Sequence, residues 1–218
     1  MDYNNKPETY YKFPRPEMLE FLPKEAQCVL DVGCGQGTFG GQIKNLNNAE
    51  VWGIEYMPNE GEMAKSILDK VFIGAVEDFL TDLPNNYFDV IYFNDVLEHL
   101  AYPDQVLKDL KPKLKSKGLI ISSIPNMRYF RSFKKLVVNG DWDYQDHGVM
   151  DKTHLRWFTK KSIRKMYESI GFKILQHQGI NPSGSIKPLL YNIPFCFTAL
   201  DIKYKQFATV AQKIDLQK

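Results

Sequence analysis

The clearest hydrophobic segment, Cys28-Val29-Leu30-Asp31-Val32, is apolar on both sides and runs into Gly33-Cys34-Gly35-Gln36-Gly37, after which residues 38–46 show helical spacing. A run apolar on both sides suits a strand buried in the middle of a parallel sheet. Short apolar runs recur at 51–54, 71–73, 88–93 and 118–123, the last ended by Pro125. Amphipathic stretches at 59–70 and 103–114 read as helices between them. A helix is also expected after the fourth run, from about residue 95. Strands alternating with helices predict a doubly wound α/β fold. A short helix is expected over 16–22, and Thr159 caps another that runs to residue 169, where Gly171 stops it.

Ligands of such a sheet bind at its carboxyl edge. Gly33, Gly35 and Gly37 have no Cβ, so the chain can take positive φ there and approach a ligand closely. The next helix points its first amides at that ligand. The second run ends at Glu55, whose carboxylate can accept from both hydroxyls of a ribose. Gly35, Gly37 and Gly40 also satisfy G-x-G-x-x-G, which admits a nicotinamide dehydrogenase. The later segments decide against it. The third run leads to the acidic pair Glu77-Asp78, well placed for an adenine amine, and the fourth ends in Asn94-Asp95 with Glu98-His99 beyond.

The order of these segments resembles a class I S-adenosylmethionine-dependent methyltransferase over residues 25–178 and a further strand near the C-terminus. The resemblance implies a Rossmann-like, mostly parallel seven-stranded sheet with helices on both faces. Residues 172–177 and 206–211 would be its antiparallel C-terminal edge. S-adenosylmethionine is then the cofactor and S-adenosylhomocysteine the product. By the same resemblance, Asp31 and the turn Gly33, Cys34, Gly35 and Gly37 hold the methionine part, with Cys34 chosen for its small size. Glu55 takes the ribose, Tyr56 or Met57 packs on the adenine, Asp78 beside Glu77 bonds its amine, and Asn94 sits near the methionine moiety. Asp31 is an acceptor where a dehydrogenase usually has an apolar residue.

At 218 residues, 44% hydrophobic and 25% charged, the chain is long enough for one globular domain over 1–218. A net charge of +2 gives no reason to expect nucleic acid. No apolar stretch is long enough to span a bilayer and residues 1–10 are polar, so a cytoplasmic protein is expected. Cys28, Cys34 and Cys196 lack metal-ligand spacing and cannot all pair, which fits a reducing compartment.

Residues 1–24 hold the short helix and an aromatic segment, Tyr10-Tyr11-Lys12-Phe13, that suits a flap over the site, with Tyr11 a substrate contact. Two insertions, 126–158 and 179–204, interrupt the minimal fold and are candidates for acceptor recognition. In the first, Thr153-His154-Leu155-Arg156-Trp157-Phe158-Thr159 resembles a signature of methyltransferases encoded with surface-polysaccharide and glycan pathways. That resemblance implies a sugar or sugar-nucleotide hydroxyl as acceptor. The second carries Leu189, Leu190, Tyr191, Phe195 and Phe197 and reads most simply as a buried lid, ahead of a dimer contact or a membrane-facing patch.

An alcohol acceptor needs a base, and His154, His99 and His147 are the candidates, because histidine titrates near working pH. Arg156 would orient a carboxylate or phosphate of the substrate. Asp95, Glu98 and His99 would share a helix face and could ligate a cation, as in the metal-dependent ubiquinone-pathway O-methyltransferases that such a cluster resembles. The donor set is small, so no metal is expected, and Asp143, Asp146, His147 and Asp151 are the further ligands it would draw on. A quinone or lipid-like phenol is the alternative acceptor, and a non-catalytic cofactor-binding protein the alternative class. A homodimer stays open.

Overall fold

The structure is a computed structural model, and it describes residues 14–214. Each apolar run becomes a strand: β1 (Cys28–Val32), β2 (Glu50–Glu55), β3 (Lys70–Ile73), β4 (Phe88–Asn94) and β5 (Leu114–Pro125), followed by β6 (Phe172–Pro182) and β7 (Tyr204–Lys213). They form one seven-stranded sheet in the order β3-β2-β1-β4-β5-β7-β6. The first five are parallel, and β7 lies antiparallel to both β5 and β6. The chain moves outward one way from β1 to β2 and the other way from β1 to β4, so the switch point of the sheet lies between β1 and β4. Val32 is level with Ile54 and with Phe93. Gly33, Glu55 and Asn94, one residue further along, therefore emerge side by side.

Side chains alternate across the strands, and each face has its own buried cluster. Leu30, Ile54, Ile91, Phe93 and Ile120 pack with Val106, Leu107 and Leu110 of α4 (Pro103–Leu110) and with Ile163, Met166 and Tyr167 of α6 (Lys160–Ser169). Val29, Val51, Val90, Tyr92 and Ile121 pack with Phe39 and Ile43 of α2 (Thr38–Asn47) and with Met18 of α1 (Pro16–Leu19). Helices thus cover both faces. Thr159 and Ser162 form a reciprocal capping box at the start of α6, and Gly171 follows its end at φ +78°. The Tyr167 hydroxyl donates to Ser122 Oγ at 2.8 Å, which ties α6 to the middle of β5.

Several elements differ in length from the sequence expectation. The helix expected over 59–70 is α3 (Pro58–Ala64). The residues after it bend so that Leu68 enters the core and Asp69 anchors the sheet edge, its amide donating to Val51 O and its carboxylate accepting from Val51 N. α4 ends at Leu110 and tightens into a 3-10 turn, Lys111–Lys113, where Pro112 has no N–H to continue the α-helical ladder. β5 begins at Leu114, opposite Phe88, and shifts register before Val90. After β4 there is only a 3-10 turn, Leu97–His99. The short N-terminal helix ends at Leu19.

The first insertion holds α5 (Phe130–Phe133), continued by a wider turn, Lys134–Val138. The second begins only after Pro182, because β6 is longer than expected, and contains α7 (Lys187–Tyr191). Asn192 braces it: its Nδ2 donates to Pro188 O and Ala199 O while its Oδ1 accepts from Ala199 N. Its apolar side chains are not those of a buried lid, since Ile186, Leu189, Leu190, Ile193, Phe195 and Phe197 are all exposed. Short helices pack only part of their surface on the domain. Among the described residues no helix is long and apolar enough to cross a membrane.

Tight packing beneath the glycine turn has a measurable cost if overfilled. A Cβ on Gly53 would stand 2.6 Å from Cys34 Sγ and 2.7 Å from Leu68 Cδ1. Gly53→Ala is expected to lower stability by about 1–3 kcal/mol, read as an earlier denaturant midpoint with unchanged slope.

Candidate active site

A cavity of about 930 Å3 opens at the carboxyl edge of β1, β2 and β4. Its floor is the turn after β1. Gly33 sits at φ +75°, and a Cβ there would stand 2.5 Å from Val96 Cγ2, so both conformation and space require glycine. The amides of Gly33 and Cys34 donate to Ile54 O, at 2.8 and 3.2 Å, which holds the turn over the end of β2. Glu55 then receives Gly35 N–H on Oε2 at 2.8 Å and Met57 N–H on Oε1 at 2.9 Å. A carboxylate has about four acceptor positions, so lone pairs remain for a ligand. Burial pushes the Glu55 pKa up, and the bonds from Met57 and Gly35 oppose that.

Asp31 lies under the turn, 1% exposed, and neither of its oxygens has a hydrogen-bond partner among the described residues. Burial and the neighbouring Glu55 push its pKa up to about 8. Asn94 likewise lines the cavity with both polar side-chain atoms buried and unpartnered. Buried polar groups are nearly always paired, so this cluster asks for a ligand rich in donors and acceptors. The amino-acid end of S-adenosylmethionine fits that demand, and Glu55 fits its ribose.

Gly33, Cys34, Gly35, Glu55, Tyr56, Met57, Glu77 and Asn94 all line the cavity. Gly37 and Asp78 do not. Gly37 takes the expected positive φ, +82°, as the N-cap of α2, but it lies behind the cavity, where a Cβ would meet Ala64 and Leu68 at 3.3 Å. Asp78, expected at the adenine amine, is exposed and outside the lining, and Glu77 takes the facing place. Both lie in the 3-10 turn Val76–Phe79, whose tight winding turns successive residues well apart around a buried Val76. Cys34 lies against Gly53, and burial first, then Asp31 and Glu55, pushes its thiol pKa well up, so its contribution is size.

The opposite wall carries His99, His147 and His154, together with Glu98. Glu98 is 1% exposed and neither carboxyl oxygen makes a hydrogen bond among the described residues. Its Oε1 lies 3.9 Å from His154 Nε2, and the His99 and His154 rings meet edge to face with centroids 4.7 Å apart. His154 Nδ1 faces Val149 O and His99 Nδ1 faces Thr153 O, each at 3.2 Å. A carbonyl only accepts, so these contacts put the hydrogen on Nδ1 and make Nε2 the basic nitrogen. Burial and the neighbouring His154 lower the His99 pKa to about 4, whereas burial and Asp95 push Glu98 well up. The backbone also holds the loop bearing His154, since Leu155 N and Arg156 N both donate to Glu98 O, at 2.9 and 3.0 Å.

The cation cluster differs from the expected one. Asp95 turns to Arg15, Ser123 and Gln206, with φ +57°, and His154 joins Glu98 and His99 in its place. One ligand atom from each of these three lies within 4.8 Å of the others, and one carboxylate with two imidazoles is a donor set that divalent metals accept. Of the further ligands considered, three are engaged elsewhere, Asp143 with Lys135, Asp146 with Lys152 and Asp151 with Thr153, while His147 lines the cavity. Arg156 is exposed, donates to Leu155 O and Ala101 O, and lies outside the lining. Tyr11 and the flap over 10–13 fall outside the described residues. Arg15, which no motif marked, lines the cavity and bonds Asp95 and Ser123, and Asn181, Lys205 and Gln206 line it from β6 and β7.

A doubly wound sheet closed by an antiparallel strand, with a glycine cradle level with an acidic β2 terminus, has the fold of S-adenosylmethionine-dependent methyltransferases. The chain belongs to the methyltransferase-domain family, whose sequence profile matches residues 8–177. It is 24% identical over 197 residues to an uncharacterised protein of Methanocaldococcus jannaschii, covering 84% of this chain and 75% of that one. It is 26% identical over 179 residues to a ubiquinone biosynthesis O-methyltransferase of Chromobacterium violaceum, covering 77% and 76%. A crystal structure of a SAM-dependent methyltransferase from Archaeoglobus fulgidus superimposes with a TM-score of 0.67 over 95% of both chains, at 17% identity.

Proposed function

We propose that this domain transfers a methyl group from S-adenosylmethionine to a hydroxyl of a small acceptor of the sugar or sugar-nucleotide class. The observation that carries this reading is the buried Glu98 carboxyl beside His154 Nε2, in the same cavity as the glycine cradle. When bound, the cofactor supplies a methyl carbon already activated by its sulfonium, and the protein's task is to align the acceptor with it. Asp31 and Asn94 hold the amino-acid end, Glu55 the ribose, and Tyr56, Met57 and Glu77 the adenine. His154 Nε2 accepts the proton of the acceptor hydroxyl as the oxygen gains its methyl group. The proton then passes from His154 to solvent.

The polar groups on the acceptor side, His99, His147, Asn181, Lys205 and Gln206, offer the several donors and acceptors that a polyol requires. A second reading, a quinol or other phenol, is favoured by the similarity to ubiquinone biosynthesis O-methyltransferases and by the apolar wall of Leu100, Val149 and Leu155. Release of S-adenosylhomocysteine with panels of sugar nucleotides and of catechols separates the two. Turnover with sugar nucleotides supports the first reading, turnover with catechols alone replaces it with the second, and cofactor binding with neither leaves a non-catalytic binding protein. Dialysis against EDTA belongs in the same assay. Lost turnover restored by a divalent cation would mean that Glu98, His99 and His154 hold an ion, not a bare base.

The shifted pKa values also set a pH dependence for the ligand-free protein. Asp31, at about 8, and the raised Glu98 and Glu55 keep protons on the folded chain that the unfolded chain releases above about pH 4. Stability therefore rises as pH falls through 8. Below about pH 6.5 the lowered His99 and His177 act in the opposite sense, because they charge first in the unfolded chain. The melting temperature is expected to be higher near pH 6.5 than near pH 8.5. Equal or reversed values would show Asp31 ionised in the folded protein.

A further inference from the structure

The two insertions build one surface that the methyl-transfer site does not use. Phe133 of α5 stacks edge to face on Phe195, with centroids 5.9 Å apart, and Phe130 meets Tyr191 of α7 at 6.4 Å. Around these contacts large apolar side chains point outward: Val137 is 60% exposed, Val138 63%, Ile186 67%, Leu190 51%, Ile193 59% and Phe197 48%. Beside them is a cleft of about 360 Å3 lined by Phe130, Tyr191, Arg131, Lys134, Lys135 and Lys187. No aspartate or glutamate lines it. Residues 127–138 and 183–200 contain no acidic residue at all, although Lys135 is partly neutralised by Asp143 at 2.9 Å.

We propose that this face docks the protein on an anionic phospholipid bilayer, with lipid phosphates at the Arg131, Lys134 and Lys187 cleft and the exposed apolar side chains in the upper acyl region. Cations ringed by aliphatic and aromatic side chains match the boundary of a bilayer, where headgroup charge and hydrocarbon lie a few ångströms apart. The charge argues against a second copy of this chain as the occupant. A twofold contact would bring the same cationic patch against itself or its rim, and the neighbouring Asp143 and Asp201 are already paired with Lys135 and Arg128. The face also adjoins the cavity. Asn126, at the root of the first insertion, bonds Asp201 O and Tyr204 O, while Pro125, Lys205 and Gln206 line the cavity. A docked protein would thus hold the cavity mouth near the membrane. The inference does not depend on which acceptor is methylated.

The test is co-sedimentation of the full chain with extruded vesicles of phosphatidylcholine alone and of phosphatidylcholine mixed with phosphatidylglycerol. Binding to the anionic vesicles is expected to be at least about tenfold stronger and to fall as sodium chloride is raised. The double substitution Lys134→Glu, Lys187→Glu is expected to reduce it by about tenfold or more, and Val137→Asp to weaken it separately. Both variants alter exposed side chains and should keep the wild-type melting temperature and S-adenosylhomocysteine affinity. No preference for anionic vesicles would overturn the proposal. So would release by inorganic phosphate beyond that given by sodium chloride of equal ionic strength, because the cleft would then be a free-anion site. A dimer in sedimentation velocity that Val137→Asp dissociates, without vesicle binding, would assign the face to a second copy.

Discussion

Replacing Glu55 with glutamine is expected to weaken S-adenosylhomocysteine binding by about 30- to 100-fold, measured by calorimetric titration. The carboxylate already satisfies the amides of Gly35 and Met57, so its remaining lone pairs are those that the proposed function assigns to the ribose. Glutamine keeps one acceptor oxygen and turns an NH2 toward a partner that also donates. The loss is one charge-assisted bond with some weakening of the next, about 2–3 kcal/mol. Glutamine also sets its NH2 against one of those two amides and so loses half the brace of the turn, whereas Glu55→Ala loses all of it, which makes glutamine the milder probe. Unchanged affinity with an intact fold would take Glu55 out of the cofactor site. NAD belongs in the same titration. Were it to bind in place of S-adenosylhomocysteine, the Gly35, Gly37 and Gly40 pattern would be a dehydrogenase fingerprint after all.

The second large effect is expected at His154. His154→Ala should lower kcat by about 100- to 10,000-fold, the usual loss on removing a general base, while the affinity for S-adenosylhomocysteine stays within about twofold. Glu98→Gln should lower kcat less and move the pH profile, because the amide cannot share a proton with His154. A purely structural role for Glu98 would change stability and leave the profile in place. If His154→Ala keeps near-normal turnover and His147→Ala does not, the base is His147, which lines the same cavity.

The cofactor half of the site was legible because it is written in strand ends and glycines. A buried strand, a turn that needs positive φ and an acidic residue closing the next strand are local features with fixed spacing, and the register of β1, β2 and β4 brings them level. What depended on winding or on long-range packing was not legible. A single 3-10 turn exchanged Glu77 for Asp78, and the helix packing behind the turn claimed Gly37. Arg156 looks like a substrate clamp in its motif, yet its neighbouring carbonyls, Leu155 O and Ala101 O, take the guanidinium instead. The link from Arg15 to Asp95 spans 80 positions, and no periodicity reports such a contact. The second insertion was misjudged because apolar composition does not say whether a neighbour exists to cover it. Short helices braced mainly on themselves, through Asn192 and Thr198, leave that surface outside.

The loop that carries His154 is fastened at its end to the 3-10 turn after β4, through the amides of Leu155 and Arg156 on Glu98 O. Val149 O is the Nδ1 partner of the imidazole and has to stay in place, whereas residues 139–146 are all exposed and are free to drift or lengthen. A lineage could try one acceptor after another on the same chemistry. Sequence divergence among descendants of this domain should accordingly pile up over residues 139–146 and thin out abruptly from Val149 onward.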